Sequence, residues 1–276
     1  MNKAEVSRQN QNQNHNHKHQ HRPHNKVPFA KPGNQLYPIP AVMVSTLNPD
    51  TGKPNIFTVA WTGTICSDPP MVSISVRRER YSFGIIEKTG EFVINLTTEA
   101  LASAADFCGV RSGRDIDKFE SLGLTPGKSC KIKAPTVDES PVSIECRVTQ
   151  SIDLGSHVMF LAEVVCVQAD EAYMDENNTF HLEYSRPIAY SHGTYYTLGR
   201  PLGQFGFSVM KDRTKKKKRR EKAAKINHTK SAMKTKHKTA AAKSHIRKHA
   251  QDQKREEAHS IQSSRKHREH SSRKKK

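Results

Sequence analysis

Between Leu36 and Tyr196 the apolar positions fall mainly into short runs of period two, separated by turn residues. Such alternation predicts half-buried strands. Residues 42–47 and 55–61 flank the turn cluster Asn48-Pro49-Asp50-Thr51-Gly52 and are expected to pair as a hairpin. Asp68-Pro69-Pro70 breaks the chain, and residues 71–76 alternate as a third strand. Residues 91–96 read as another. Residues 141–153 and 157–168 read as two long, β-branched strands joined by Leu154-Gly155-Ser156, and 187–190 as a last short one. Helical spacing is confined to short pieces. Ser82 as a cap, apolar residues at 83–86 and Gly90 predict one helix; residues 98–108, Ala-rich and capped by Thr98, predict a second. Residues 111–120 form a charged loop or short helix. Many short strands and few helices indicate an all-β barrel.

The two ends of the chain follow no such pattern. Residues 1–26 are mainly Asn, Gln, His and Lys, with five Lys/Arg against one Asp/Glu, and residues 211–276 carry 26 against 6. Residues 27–210 carry 15 against 20, so the net charge of +19 belongs to the tail and not to the core. Neither end has the apolar content to offset its chain entropy, and both are expected to be disordered. The expected organisation is a disordered His/Asn/Gln-rich arm (1–26), one folded domain (27–210) and a disordered Lys/Arg-rich tail (211–276). His15, His17, His19, His21 and His24 offer imidazoles to a metal, but no Cys or carboxylate completes the set, and a solvated arm is the competing reading.

Cys66, Cys108, Cys130, Cys146 and Cys166 are odd in number, scattered and without a C-x-x-C pair. Neither a disulfide framework nor a zinc site is expected, and reduced thiols fit a cytoplasmic protein. The first residues lack the apolar core of a secretory signal, and no apolar run approaches the ~18 residues that span a bilayer.

Candidate chemistry concentrates in residues 52–82. Amide and hydroxyl side chains surround Trp61, the one Trp of the chain, and Arg77, Arg78 and Arg80 follow. That combination suits a flat, polar, phosphorylated aromatic ligand. Arginines just before a helix start are placed for its phosphate, because first-turn N–H groups and guanidinium forks both favour an anion. A solvated charged loop is the competing reading. No G-x-G-x-x-G follows a strand and no G-x-S-x-G accompanies His157, His181 or His192, so nothing points to a Rossmann nucleotide site or a hydrolase triad.

The segments "GKPNIFTVAW", "DPPMVSISV", "EKTGEFVINL", "SGRDIDKF", "ESPVSIECRV", "GSHVMFLAEVV" and "YYTLGRPLG" run in order over roughly residues 36–203. Together they resemble the flavin reductase-like, flavoredoxin-type family. The resemblance implies an all-β fold with short helices, a Greek-key FMN-binding split β-barrel, usually a homodimer with FMN near the interface. It sets Asn55, Trp61, Thr62 and Gly63 at flavin contacts, with Trp61 as ordinary core the alternative. Thr58 and Ser75 either join them or form the polar face of strands. Arg77, Arg80 and the Ser82 hydroxyl correspond to phosphate contacts, and Asn95 to the flavin or its own turn. Lys118, in "DKF", matches a lysine that stabilises negative charge on reduced flavin, and Tyr190 an aromatic at the isoalloxazine edge.

The implied function is an FMN-binding oxidoreductase, either an NAD(P)H:flavin reductase or a flavoredoxin-like carrier reduced by a redox protein. The cofactor supplies the redox chemistry and the chain supplies binding, orientation and electrostatics. The alternative is a polyanion- or nucleic-acid-associated protein whose barrel is degenerate or structural. Residues 211–276 contain no aromatic residue, so RNA contact there would rest on phosphate neutralisation without base stacking.

Overall fold

The computed structural model describes residues 25–209, so the arm, apart from Asn25 and Lys26, and the tail assigned to 211–276 lie outside the described residues. The chain divides into the units Met1–Leu36 and Tyr37–Lys276. The described part of the first, residues 25–36, holds no regular secondary structure.

In the second unit, β1 (Val42–Leu47) and β2 (Pro54–Val59) form the expected first hairpin. Asn48 closes its turn: Oδ1 accepts from Asp50 N at 2.8 Å, while Gly52 takes the left-handed φ of 68° that the return requires. Then come β3 (Thr62–Ser67), β4 (Pro70–Val76), α1 (Tyr81–Thr89), β5 (Glu91–Asn95), α2 (Ala102–Val110) and α3 (Lys118–Leu122). The short pair β6 (Pro126–Gly127) and β7 (Thr136–Val137) precedes the long hairpin of β8 (Val142–Asp153) and β9 (Val158–Ala169). A small hairpin, β10 (Ile188–Ser191) with β11 (Thr194–Thr197), follows.

Seven strands make one antiparallel sheet in the order β2-β1-β5-β8-β9-β4-β3. The non-sequential neighbours β1/β5, β5/β8 and β4/β9 give it Greek-key order. Its two end strands, β2 and β3, are consecutive in the chain and separated only by Ala60 and Trp61. Alternation curls the sheet on itself. Val42 and Val44 of β1, Phe57 and Val59 of β2, Val72, Ile74 and Val76 of β4, and Phe160 and Ala162 of β9 share one buried cluster, with Phe83 and Ile86 of α1 plugging it. Strands from both ends of the sheet therefore line a single interior. The gap between β2 and β3 is the split of the barrel.

The intervening positions of β1 and β2 point the other way. Met43 and Ile56 pack with Leu101, Ala105 and Cys108 around α2, with Phe119 of α3 and with Val137. These two strands are thus covered on both faces, whereas β3 is an edge strand with Gly63, Thr64, Ile65 and Ser67 exposed.

Several local expectations change. The strand expected over 55–61 stops at Val59, and 62–67 is a strand of its own; its Thr-Gly-Thr-Ile-Cys-Ser run has no apolar face to signal one. Residues 98–108 are not one helix but a 3-10 turn (Glu99–Leu101) leading into α2, and Thr98 caps it with no side-chain bond. Ser82 is not a cap either: Arg80 holds the N-cap position, and Ser82 lies buried in the first turn of α1. The segment 111–120 is a loop up to Asp117, whose side chain caps α3 by accepting from Glu120 N at 3.1 Å. His192 (φ 47°) and Gly193 (φ 81°) make the two-residue turn of the β10–β11 hairpin, a pairing the Tyr-rich sequence did not announce.

Candidate functional site

The predicted residues gather on both sides of the split. On the β2 side, Asn55 is buried, and its Nδ2 donates to Ser82 Oγ at 2.9 Å and to Thr46 Oγ1 at 3.2 Å. This bond fixes the first turn of α1 against β2. The loop after α2 closes over the same point. A Cβ added at Gly113 would stand 2.1 Å from Asn55 Oδ1 and 2.9 Å from Tyr81 Cδ1, so only glycine permits so close an approach. Three residues further along β2, on its opposite face, the Thr58 hydroxyl donates to the carbonyl of Ala105 in α2, and Gly109 passes directly over the Thr58 side chain. Thr58 is therefore engaged with the helix that roofs this side.

On the far side, Trp61 is 40% exposed and stands over His157, ring centroids 4.5 Å apart. Its carbonyl accepts from Ser75 N at 2.9 Å, and Thr62 Oγ1 donates to Ser73 O at 2.8 Å. Trp61, Thr62, Gly63 and Ser75 thus lie together across the β3–β4 ladder. Open space stands where a Gly63 side chain would be. The Trp61 reading as ordinary core fails on its exposure.

Between the two sides runs the loop from β4 to α1. Arg78 is committed to structure: it pairs with Asp153 at 2.7 Å and lies over the Phe83 ring at 5.4 Å. Arg77 touches Glu79 only at 3.5 Å, and Arg80 reaches the Gly109 carbonyl at 3.4 Å. Both remain exposed beside the first turn of α1, where N–H groups lack intrahelical partners. Burial, and then the charge of Arg77, lower the pKa of His157, the ring against which Trp61 packs. Arg114 adds a cation above the Tyr81 ring at 5.9 Å.

Lys118 opens α3. It is buried, and Nζ donates to the carbonyls of Cys108 at 3.1 Å and Arg111 at 3.0 Å, which ties the end of α2 to the start of α3. Burial, followed by the nearby charge of Arg80, lowers its pKa. Burial likewise pushes the adjacent Cys108 thiol up to about 11, so that group is a neutral apolar filler.

Two predicted residues stand apart. Asn95 is fully buried; Nδ2 donates to Met43 O, Ser45 Oγ and Val93 O, and Oδ1 accepts from Val137 N at 2.9 Å and Ser143 Oγ at 2.8 Å. Its capacity is spent joining β1, β5, β7 and β8, which is a structural role. Tyr190, on β10, packs among Tyr37, Tyr195 and the Ile39 backbone. Its hairpin reaches α2 through Tyr195 Oη, 3.3 Å from Asp106 Oδ1. Sequence reasoning missed His157, Gly109 and Gly113 as parts of the site. Gly113 sits in the quoted "SGRD" motif, which was a usable signal; the position of His157 across the strand from Trp61 was not readable without the β4–β9 pairing.

The family model for the flavin reductase like domain matches residues 34–199. The flavoredoxin of Desulfovibrio vulgaris (Miyazaki F) superposes with a TM-score of 0.62 at 30% identity, covering 67% of this chain and 100% of that one. A split-barrel protein of Shewanella frigidimarina NCIMB 400, described as a flavin reductase, superposes with a TM-score of 0.57 at 25% identity, covering 63% and 89%. A protein of Archaeoglobus fulgidus without assigned function is 30% identical over 140 residues, 51% of this chain and 77% of that one.

Proposed function

The chain belongs to the flavin reductase-like family of flavin-related oxidoreductases, and from that premise we propose that it binds FMN across the split and works as an NAD(P)H:flavin reductase or a flavoredoxin-like electron carrier. The observation that carries this reading is that β4, whose Ser75 N bonds the carbonyl of the exposed Trp61, leads directly into the exposed Arg77 and Arg80 and the first turn of α1. One end offers cations and N–H groups of the kind a phosphate monoester needs; the other offers an aromatic face and strand backbone for a flat ring.

FMN, when bound, supplies the two-electron chemistry. Arg77 and Arg80 neutralise its phosphate. Asn55 and Ser82 hold the first turn of α1 in place, and Gly113 closes the loop 111–117 over them. Trp61 shields one side of the slot, with His157 bracing it in the neutral form. Lys118, with its depressed pKa and its two carbonyl contacts, sets a cation under the loop end of α2, where it offsets negative charge gained on reduction. The twelve residues first singled out reduce in this reading to ten, without Asn95 and with Tyr190 only as a wall of the neighbouring hairpin.

A homodimer is part of the proposal, because β3 is an exposed edge strand, with Gly63 on it open and Trp61 exposed immediately before it. Among the described residues no helix is long and apolar enough to cross a membrane. A separate contact with polyanions through residues 211–276 is favoured by their 26 Lys/Arg against 6 Asp/Glu. Stopped-flow mixing of the FMN-loaded protein with NADH, NADPH or a reduced protein donor tests the main reading. Rapid bleaching by a nicotinamide identifies a reductase and bleaching only by a protein donor a carrier; a preparation that takes up no flavin overturns both.

A further inference from the structure

The sequence scatters the five cysteines, yet the fold brings two of them to one carboxylate. Glu145 and Cys166 are direct cross-strand partners in the β8–β9 ladder, next to a bulge in which Val165 has no partner and which re-aims Cys166. The loop 128–134 arches over this pair and lowers Cys130 onto it. Glu145, although fully buried, accepts from Cys130 N at 2.7 Å, from Lys131 N at 2.7 Å and from Gln168 Nε2 at 2.9 Å, the acceptor pattern of an ionised carboxylate. Gln168 Nε2 in turn reaches the Lys128 carbonyl at 3.2 Å, so the carboxylate is braced from the side. The sulfurs of Cys130 and Cys166 and a carboxylate oxygen of Glu145 all lie within 4.8 Å of one another. Both thiols are free, Cys130 is exposed and Cys166 partly so, which leaves a path from solvent.

We propose that Cys130, Glu145 and Cys166 form a site for a single thiophilic divalent cation of the zinc class, separate from the flavin site. Two sulfurs and one carboxylate oxygen match the donors that such an ion takes in tetrahedral coordination, with solvent in the fourth position. Metal–sulfur bonds of about 2.3 Å and metal–oxygen bonds of about 2.0 Å place tetrahedral donors roughly 3.5–3.8 Å apart. The three atoms need to close by only about an ångström, which the exposed Cys130 loop supplies. Binding exchanges the two thiol protons for the cation and releases them to solvent. A merely structural Glu145, holding down the loop through Cys130 N and Lys131 N, accounts for the carboxylate but not for two thiols converging on it. The bound cation would pin the loop 128–134 to the sheet.

The test is a titration of the reduced, chelator-treated full chain with cadmium(II) alone, read by the ultraviolet sulfur-to-cadmium charge-transfer band. Histidines of residues 15–24 give no such band, so their metal binding does not interfere. One equivalent of cadmium(II) is expected to saturate the band in the wild type and in a Cys66→Ser control. Cys130→Ser and Cys166→Ser are each expected to weaken binding at least about tenfold, and Glu145→Gln to do the same. Because Glu145→Gln also disturbs the loop's backbone bonds, the exposed Cys130→Ser, checked for an unchanged circular dichroism spectrum, carries the decision. No band in the wild type, an undiminished band in both serine variants, or a Cys130–Cys166 disulfide as the only chemistry of the pair would each overturn the proposal.

Discussion

Asn55 donates through Nδ2 to the Ser82 hydroxyl at 2.9 Å, a bond that links the end strand β2 to the first turn of α1. Neither residue faces solvent, so the hydroxyl that the sequence offered as a helix cap serves instead to set the helix's position. Gly113 lies directly against this pair. Gly113→Ala drives a methyl to 2.1 Å from Asn55 Oδ1, and overpacking of that kind costs on the order of 1–3 kcal/mol. We expect FMN affinity to fall at least about tenfold while the barrel stays folded. Fluorescence titration beside a thermal melt checks it; unchanged affinity would detach the loop from the flavin site.

Arg80 bonds the Gly109 carbonyl and Arg77 meets Glu79 only at 3.5 Å, whereas Arg78 pairs with Asp153 at 2.7 Å. Arg80→Ala is expected to weaken FMN by about 1.5–3 kcal/mol, the value of a hydrogen bond to a charged group, and to leave riboflavin nearly unaffected. Equal losses for the two ligands would place Arg80 away from the phosphate.

Lys118→Met removes one buried cation and two bonds to backbone carbonyls. If the cation faces the flavin, the midpoint potential drops by the equivalent of on the order of 1 kcal/mol, because reduction adds negative charge. A redox titration with a reference dye measures this. A normal potential combined with a lower Tm would show that Lys118 only joins α2 to α3.

His181 Nε2 lies 3.1 Å from Asp175 Oδ2. Burial lowers the His181 pKa, but hydrogen bonds to Asp175 and Glu183 outweigh it and leave the pKa above the ordinary 6.5. The bond from Thr179 N, and then that from His181, bring Asp175 from 3.8 down to about 2. The histidine's contribution to stability is complete below 6.5 and is lost as pH rises through its folded value. The aspartate's is complete above 3.8 and is lost as pH falls through about 2. The Tm deficit of His181→Gln should therefore be largest between pH 3.8 and 6.5 and shrink toward alkaline pH. A deficit that grows with rising pH would contradict the ion pair.

Protein trimmed to residues 27–210 should bind FMN as tightly as the full chain, since the family match of 34–199 lies inside it. The full chain alone should bind RNA, with an affinity that falls steeply with salt. Equal RNA binding by both proteins would move the polyanion contact to the barrel.

Where alternation was strong, the sequence was legible. Val42 and Val44, Val72, Ile74 and Val76, and Phe160 and Ala162 all face the interior as their period-two spacing requires. The edge strand β3 was not, because a strand with solvent on both faces needs no apolar period. Part of the candidate site was legible by chemistry alone: Arg77, Arg80 and Trp61 stand out. Asn55–Ser82 and Trp61–His157 did not, since each joins residues 27 or more positions apart through the fold. The cluster of Cys130, Glu145 and Cys166 was hidden for the same reason, and its spacing in the chain matches no metal motif.

Asn95 carries a consequence for hydrogen exchange. Its buried amide bonds to backbone or side-chain atoms of Met43, Ser45, Val93, Val137 and Ser143, so none of those strands can open without stranding a polar group in the interior. Amides of β1 and β5 should accordingly exchange with deuterium only through global unfolding. The outer amides of β3 carry no such tether and should exchange by local opening. The edge on which the proposed flavin site rests is then free to loosen and re-form many times within the lifetime of one folded molecule, while the slowest-exchanging amides keep the rate set by the whole barrel.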